Sequence, residues 1–185
     1  MEQHQRFVTF NLDGFNHVDQ MVNTLLGETI TYMNKIACIT PERYSKMSGG
    51  DVEILSLQSL KEIAPSINFP KERIELISGH VFPDILLHET SYGVEIKSTQ
   101  KDAWTSTGSS IVESTRDKKT DRIYMLFAKL GGHPEFRCKP YQLCLSNIAV
   151  THSPRYLIDM NLSSNNNIFA KMNTDYEIFR QLDEG

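Results

Sequence analysis

The chain has 185 residues, of which 39% are hydrophobic, and its 23 acidic residues outnumber its 19 lysines and arginines. This size and apolar fraction predict one globular domain, residues 1–185, with a substantial buried core. The net charge of −4 argues against a generally basic nucleic-acid-binding surface. Any contact with a polyanion must therefore come from a local basic cluster.

The three cysteines, Cys38, Cys138 and Cys144, do not have the spacing of metal-ligand pairs. Their odd number, together with an N-terminus that lacks the order of a secretion signal, predicts reduced thiols in a cytoplasmic protein. No segment is long and apolar enough to span a membrane, so we expect no membrane partner. The chain has no glycine-rich phosphate loop, so we also expect no nucleotide cofactor.

The first predicted element is a helix from His17 to Ile36, with Asn16 as its N-cap. Apolar residues recur along it at spacings of three and four, and Gly27 weakens this pattern without ending it. Glu28 lies on or beside the apolar stripe. A glutamate that reaches solvent from the edge of the stripe explains this position as well as a functional role does.

A loop containing Ser48-Gly49-Gly50-Asp51 follows, and a short helix is predicted from Leu55 to Ala64, before Pro65. The alternation of Ile74-Glu75-Leu76-Ile77 predicts a strand. A turn then leads into a second strand that begins near Asp84.

Two short strings in the middle of the chain carry the main indication of chemistry, Phe82-Pro83-Asp84-Ile85 and Gly93-Val94-Glu95-Ile96-Lys97. In the second string, Val94 and Ile96 share one face of a predicted strand, and Glu95 and Lys97 share the other. The polar stretch between the strings is short enough for a hairpin, which would bring Asp84 towards Glu95.

Two carboxylates and an ammonium group in this arrangement suit metal-dependent phosphodiester hydrolysis. Asp84 and Glu95, with the backbone carbonyl of Ile96, could hold Mg²⁺, or Mn²⁺ as a substitute, because these cations prefer oxygen ligands. Lys97 would orient the attacking water and offset charge on the phosphate. A solvated strand face with a cross-strand ion pair is the structural alternative for Glu95 and Lys97.

Pro83-Asp84 and Glu95-Ile96-Lys97 match the motif of the PD-(D/E)xK nucleases, and the chain resembles that family over this short stretch. The resemblance implies an α/β (α+β) fold of the restriction-endonuclease type, a central mixed β-sheet flanked by helices. It also implies Asp84 and Glu95 as metal-binding carboxylates, Lys97 as the catalytic lysine and a Mg²⁺ requirement. By position, Glu28 resembles the additional acidic residue that many members place on a helix before the motif.

The segment after Lys97 is rich in hydroxyl groups, contains the only tryptophan and is followed by a basic cluster. Such side chains suit contacts to phosphates and bases. The alternative is a polar loop in which the tryptophan is a packing anchor. The candidate DNA-contact residues are Ser98, Thr99, Gln100, Lys101, Trp104, Ser106, Thr107, Ser109, Ser110, Arg116, Lys118 and Lys119.

The remaining strands and the last helix follow from apolar runs and turn residues. Ile123 to Leu130 predicts a central strand covered on both faces. Further strands are predicted around Gln142–Leu145, Asn147–Thr151 and Tyr156–Asp159, and a final helix from Asp175 to Leu182.

The continuation after Lys97 looks most like the type II restriction endonuclease branch. That branch implies cleavage of double-stranded DNA at a specific site, leaving a 5′-phosphate and a 3′-hydroxyl. Cutting both strands of a symmetric site needs two copies of one active centre, so we expect a homodimer. Two alternatives remain open: a structure-specific or nicking DNA nuclease of repair or recombination, and a catalytically inactive DNA-binding module of the same fold.

Overall fold

A computed structural model of the protein describes residues 5–79, 81–113, 115–150 and 152–180. Its first helix, α1, runs over His17–Ile39. The side chain of Asn16 accepts a hydrogen bond from the backbone of Asp19, and the Asp19 carboxylate accepts one from the backbone of Asn16. This reciprocal capping confirms the predicted helix start. The helix ends three residues beyond the predicted Ile36.

Two more helices precede the first strand, α2 at Pro41–Tyr44 and α3 at Gly49–Ile63. The predicted start of α3 at Leu55 was wrong by six residues. Ser48 and Asp51 form a second reciprocal cap, and this cap starts the helix over Gly49 and Gly50 despite their low helix propensity.

Across the described ranges, eight strands form two sheets. They are β1 (Ile74–Leu76), β2 (Ile85–Leu87), β3 (Tyr92–Thr99), β4 (Thr105–Ser110), β5 (Arg122–Lys129), β6 (Glu135–Pro140), β7 (Leu145–Ala149) and β8 (Arg155–Asp159). The larger sheet has the order β1-β2-β3-β5-β6, with β3 and β5 parallel and the other neighbours antiparallel. The smaller sheet has the antiparallel order β4-β8-β7. The predicted α/β (α+β) class with a central mixed sheet is therefore confirmed.

Strand β4 lies in the hydroxyl-rich segment, for which the sequence predicted no strand. Strands β5 and β8 confirm the predicted runs to within a few residues. Two short helices end the described chain, α4 (Ile168–Met172) and α5 (Tyr176–Arg180). The latter confirms the predicted final helix, although its predicted end at Leu182 lies outside the described residues.

The larger sheet separates two cores. Val94 and Ile96 of β3 and Leu126 of β5 face α1 and α3, in the first core. Met125 and Phe127 of β5 face the smaller sheet and the two last helices, in the second core. Since side chains alternate along a strand, Glu95 and Lys97 point towards the second core. The sheet register pairs them with Met125 and Phe127.

The N-terminal segment lies along the outer edge of β6. The backbone nitrogen of Val8 donates to the carbonyl of Cys138 at 3.0 Å, and the nitrogen of Cys138 donates to the carbonyl of Arg6 at 2.8 Å. The ring of Phe7 packs on α1 at Gly27, where an added Cβ would lie 3.2 Å from a ring carbon. This close approach explains why a glycine stands in the middle of the helix.

Within the described ranges, no helix combines the length and the apolar character needed to cross a membrane.

Candidate functional site

The β2–β3 hairpin positions the two motif carboxylates. Ile85 pairs with Val94 in the antiparallel register, so Asp84, one residue before β2, lies across from Glu95. Pro83 packs closely on Gly93, where an added Cβ would overlap the proline ring. The hairpin predicted from the sequence is thus confirmed, and glycine is required where Pro83 covers the strand.

Asp84 is fixed to the backbone of β3. Its Oδ2 accepts a hydrogen bond of 2.7 Å from the nitrogen of Ile96. The N–H and C=O groups of one strand residue point to the same side of the strand, as the exchange of both bonds in an antiparallel pair requires. The Ile96 carbonyl therefore also faces the side on which Asp84 lies. A carbonyl that serves as a third oxygen ligand, beside the two carboxylates, would have to face that side.

Glu95 is buried, with 3% of its surface exposed. Its Oε1 lies 2.6 Å from Nζ of Lys97 and accepts a 3.2 Å hydrogen bond from Oγ of Ser109. Burial raises the pKa of Glu95 to about 7, and the nearby Asp84 charge adds to this, whereas Lys97 opposes it. The carboxyl group therefore changes its charge near neutral pH.

Lys97 stays protonated at neutral pH. Burial works against its charged form, but the carboxylate of Glu95, followed by those of Asp84 and Glu53, outweighs burial and raises the pKa of the lysine. Its side chain remains 28% exposed. The ammonium group can therefore contact both Glu95 and an incoming anion.

The sequence interpretation missed a third carboxylate, Glu53, on α3. Burial raises its pKa, the charge of Asp84 raises it further and Lys97 lowers it, so Glu53 belongs to the same electrostatic cluster. The N-terminal part of α3 lies beside the end of β3, where Gln100 Nε2 donates to the Met47 carbonyl at 2.6 Å. The Ser48-x-x-Asp51 capping pattern was the sequence signal that would have placed Glu53 on a helix.

Glu28 does not join this cluster. Its side chain is exposed on α1. Among the described residues, no hydrogen bond or ion pair connects it to Asp84, Glu95 or Lys97.

Four of the predicted DNA-contact residues line one open groove of about 500 Å³ beside the end of β3. They are Thr99, Lys101, Ser106 and Thr107, and Thr105, which was not predicted, lines the same groove. Ser146 of β7 and Asp159 of β8, from the same small sheet, also line the groove. The groove is therefore rich in hydroxyl groups and has a lysine at its border.

Three other predicted contacts lie elsewhere around β3 and β4. Ser98 lies beside the start of α3, where a Cβ added to Gly49 would be 3.8 Å from its hydroxyl oxygen. Ser110 accepts a hydrogen bond from the backbone of Val112. Ser109 contacts Glu95 rather than the groove.

Trp104 and Arg116 are packed inside the protein. Trp104 is 9% exposed, with the Arg137 guanidinium 3.8 Å from its ring centroid, as in the packing-anchor alternative. The Arg116 guanidinium donates at 2.8 Å to both Glu113 and Tyr176, and 7% of its side chain is exposed. We therefore do not assign either side chain to a DNA surface.

Lys118 and Lys119 are exposed, but they lie near the opposite end of β3 from Lys97. The segment that follows them joins the start of that strand, where the backbone of Asp121 donates to Ser91. Five residues of a strand separate the two ends by about 16 Å. These lysines do not belong to the groove.

The oxygen groups that could hold a metal ion here are two carboxylates and one backbone carbonyl. Among the described residues, no group of three or more histidine, cysteine, aspartate or glutamate side chains is arranged to hold a metal ion. Mg²⁺ is commonly bound by one or two carboxylates plus waters and substrate oxygens. Asp84 and Glu95, with the Ile96 carbonyl, are the groups that could hold such a cation.

Searches for similar proteins found no matching family model and no matching curated protein.

Proposed function

We propose that this protein is a Mg²⁺-dependent endodeoxyribonuclease of the PD-(D/E)xK type. The proposal is supported above all by one observation. Asp84 is bound to the backbone of Ile96, and on the same strand the buried Glu95 is paired with a partly exposed Lys97. A cross-strand ion pair on a solvated sheet face would not need a glutamate that is 3% exposed.

Asp84 and Glu95 would hold Mg²⁺, together with the Ile96 carbonyl. When bound, the cation neutralises charge that develops on the phosphate and makes water a better nucleophile. Lys97 donates from its ammonium group to a phosphate oxygen or to the attacking water, through its exposed part. Glu53 takes the place of Glu28 as the helical carboxylate of the site, because its charge interacts with both Asp84 and Lys97.

The hydroxyl-lined groove is the surface proposed to receive DNA. Hydroxyl groups donate to phosphate oxygens, and Lys101 adds a local positive charge to an otherwise acidic chain. Within this proposal the enzyme is a type II restriction endonuclease that cuts double-stranded DNA at a specific site. Two copies in a homodimer would cut the two strands.

Plasmid digestion tests the proposal. We expect the parent protein with Mg²⁺ to yield discrete fragments that DNA ligase can rejoin, because their ends carry 5′-phosphates. Asp84→Asn and Lys97→Ala should lose roughly 100-fold or more of the cleavage rate. Glu28→Gln, which removes an exposed carboxylate outside the cluster, is the matched control.

Full cleavage by either motif variant would overturn the assignment of the site. Nicks, smears or a preference for branched substrates would instead indicate the structure-specific or nicking nuclease. DNA binding without any Mg²⁺-dependent or Mn²⁺-dependent cleavage would indicate the inactive binding module.

A further inference from the structure

Strand β4 departs from regular alternation at Ser109. Thr105 and Thr107 are exposed and line the groove, and a regular strand would turn Ser109 to that same face. In the pairing with β8, however, Thr107 lies opposite Leu157 and Ser110 opposite Arg155. Three steps along β4 thus correspond to two along β8, which is the geometry of a β-bulge.

The bulge turns Ser109 towards the larger sheet. Its hydroxyl donates to Oε1 of Glu95 at 3.2 Å, across the boundary between the two sheets. The preceding Gly108 is buried, and a Cβ there would lie 3.1 Å from the Tyr156 carbonyl and 3.2 Å from the Ile158 side chain. The absence of a side chain at Gly108 therefore lets β4 approach β8 closely at the bulge.

Ser109 and Lys97 both bind Oε1 of Glu95. No described residue donates a hydrogen bond to the other oxygen, Oε2. A carboxylate held from two directions at one oxygen has a fixed orientation, and its second oxygen is left for a cation. Partners of this kind, which orient a metal ligand without touching the metal, typically change metal affinity or activity by 10-fold to 100-fold when they are removed.

We propose that Ser109 is a positioning residue that orients Glu95 for cation binding, and that the β4 bulge links the groove to the catalytic carboxylate. This inference rests on the proposed nuclease function. Thr107, two residues earlier on the same strand, lines the groove. DNA that contacts Thr107 would therefore contact the same strand that holds Glu95 through Ser109.

The test compares Ser109→Ala with Ser109→Thr, which keeps the hydroxyl, in the full chain. Calorimetric titration with Mn²⁺ should show about 10-fold weaker binding by Ser109→Ala and near-parental binding by Ser109→Thr. Ser66→Ala is the control, because it also loses one hydrogen bond, to the Ile63 carbonyl at 2.7 Å, on an exposed turn remote from the site. It should bind Mn²⁺ as the parent does.

Steady-state cleavage separates positioning from substrate binding. Ser109→Ala should lower kcat by 10-fold or more and leave KM for DNA within about twofold, whereas Thr107→Val should mainly raise KM. If Ser109→Ala does not fold, Ser109→Cys replaces it, because a thiol is a weak donor of similar size.

Glu95→Gln separates a failure of the proposed nuclease function from a failure of the positioning role of Ser109. If Glu95→Gln binds Mn²⁺ as tightly as the parent, the proposed function itself fails. If Glu95→Gln loses Mn²⁺ binding while Ser109→Ala keeps parental affinity and kcat, only the positioning role of Ser109 is overturned.

Discussion

The raised pKa of Glu95 predicts a specific dependence of protein stability on pH. Its value in the folded protein is about 7, against an ordinary 4.5. Between these pH values the folded protein holds a proton that the unfolded chain has lost, so stability falls as pH rises. Each pH unit in this window costs about 1.4 kcal/mol, which gives a total of about 3 kcal/mol from this one carboxyl group.

Replacing Glu95 by glutamine removes this contribution and keeps the size of the side chain. The free energy of unfolding of Glu95→Gln, relative to the parent, should therefore rise by about 3 kcal/mol between pH 4.5 and pH 8. At pH 4.5 the parent carboxyl group is protonated in the folded protein and about half protonated in the unfolded chain, so within this pH range the two proteins should differ least there. Most of the change should fall between pH 5 and pH 7.

Urea unfolding at several pH values, with a chelator to remove divalent cations, measures this difference. Glu28→Gln, at an exposed position on α1, corrects for the general effect of removing one carboxylate from an acidic chain. A difference between Glu95→Gln and the parent that stays constant from pH 4.5 to 8 would contradict a raised pKa of Glu95 in the folded protein. So would a parent protein that gains stability from this group as pH rises.

Three further predictions concern other parts of the structure. Glu53→Gln should weaken Mn²⁺ binding in calorimetry and slow cleavage by roughly 10-fold or more, whereas Glu28→Gln should change neither; equal effects would remove Glu53 from the site. Gly93→Ala should lower the free energy of unfolding in urea by about 1–3 kcal/mol, because its methyl group overlaps Pro83. Arg116→Gln should destabilise the fold by about 3–5 kcal/mol, since it leaves a buried carboxylate without its cation; a variant as stable as the parent would contradict a buried ion pair.

The sequence predicted the elements whose signal is local. Asn16 and the apolar spacing that follows it were enough to place α1. The continuous apolar run of β5 was enough to predict a strand covered on both faces. The short polar link between Asp84 and Glu95 was enough for the hairpin.

Features that depend on contacts between distant segments could not be predicted. Glu53 reaches the site because α3 packs on β3, and no spacing along the chain records that packing. Trp104 looked suited to stacking on a base, but its ring is covered by Arg137 of β6, which follows 33 residues later. Strand β4 has hydroxyl side chains in place of alternating apolar residues, and it lies partly buried at the edge of the smaller sheet, where it pairs with β8.

The segment from Arg6 to Val8 covers part of one edge of the larger sheet. An uncovered edge strand offers a row of unpaired backbone groups to another molecule and favours aggregation. Strand β6 would be such an edge, with six residues, but its Cys138 is bonded to the N-terminal segment on the outer side. The opposite edge, β1, has only three residues. Removing the N-terminal segment would therefore shift the balance from a dispersed protein towards sheet-mediated aggregates, with the motif strands themselves unchanged.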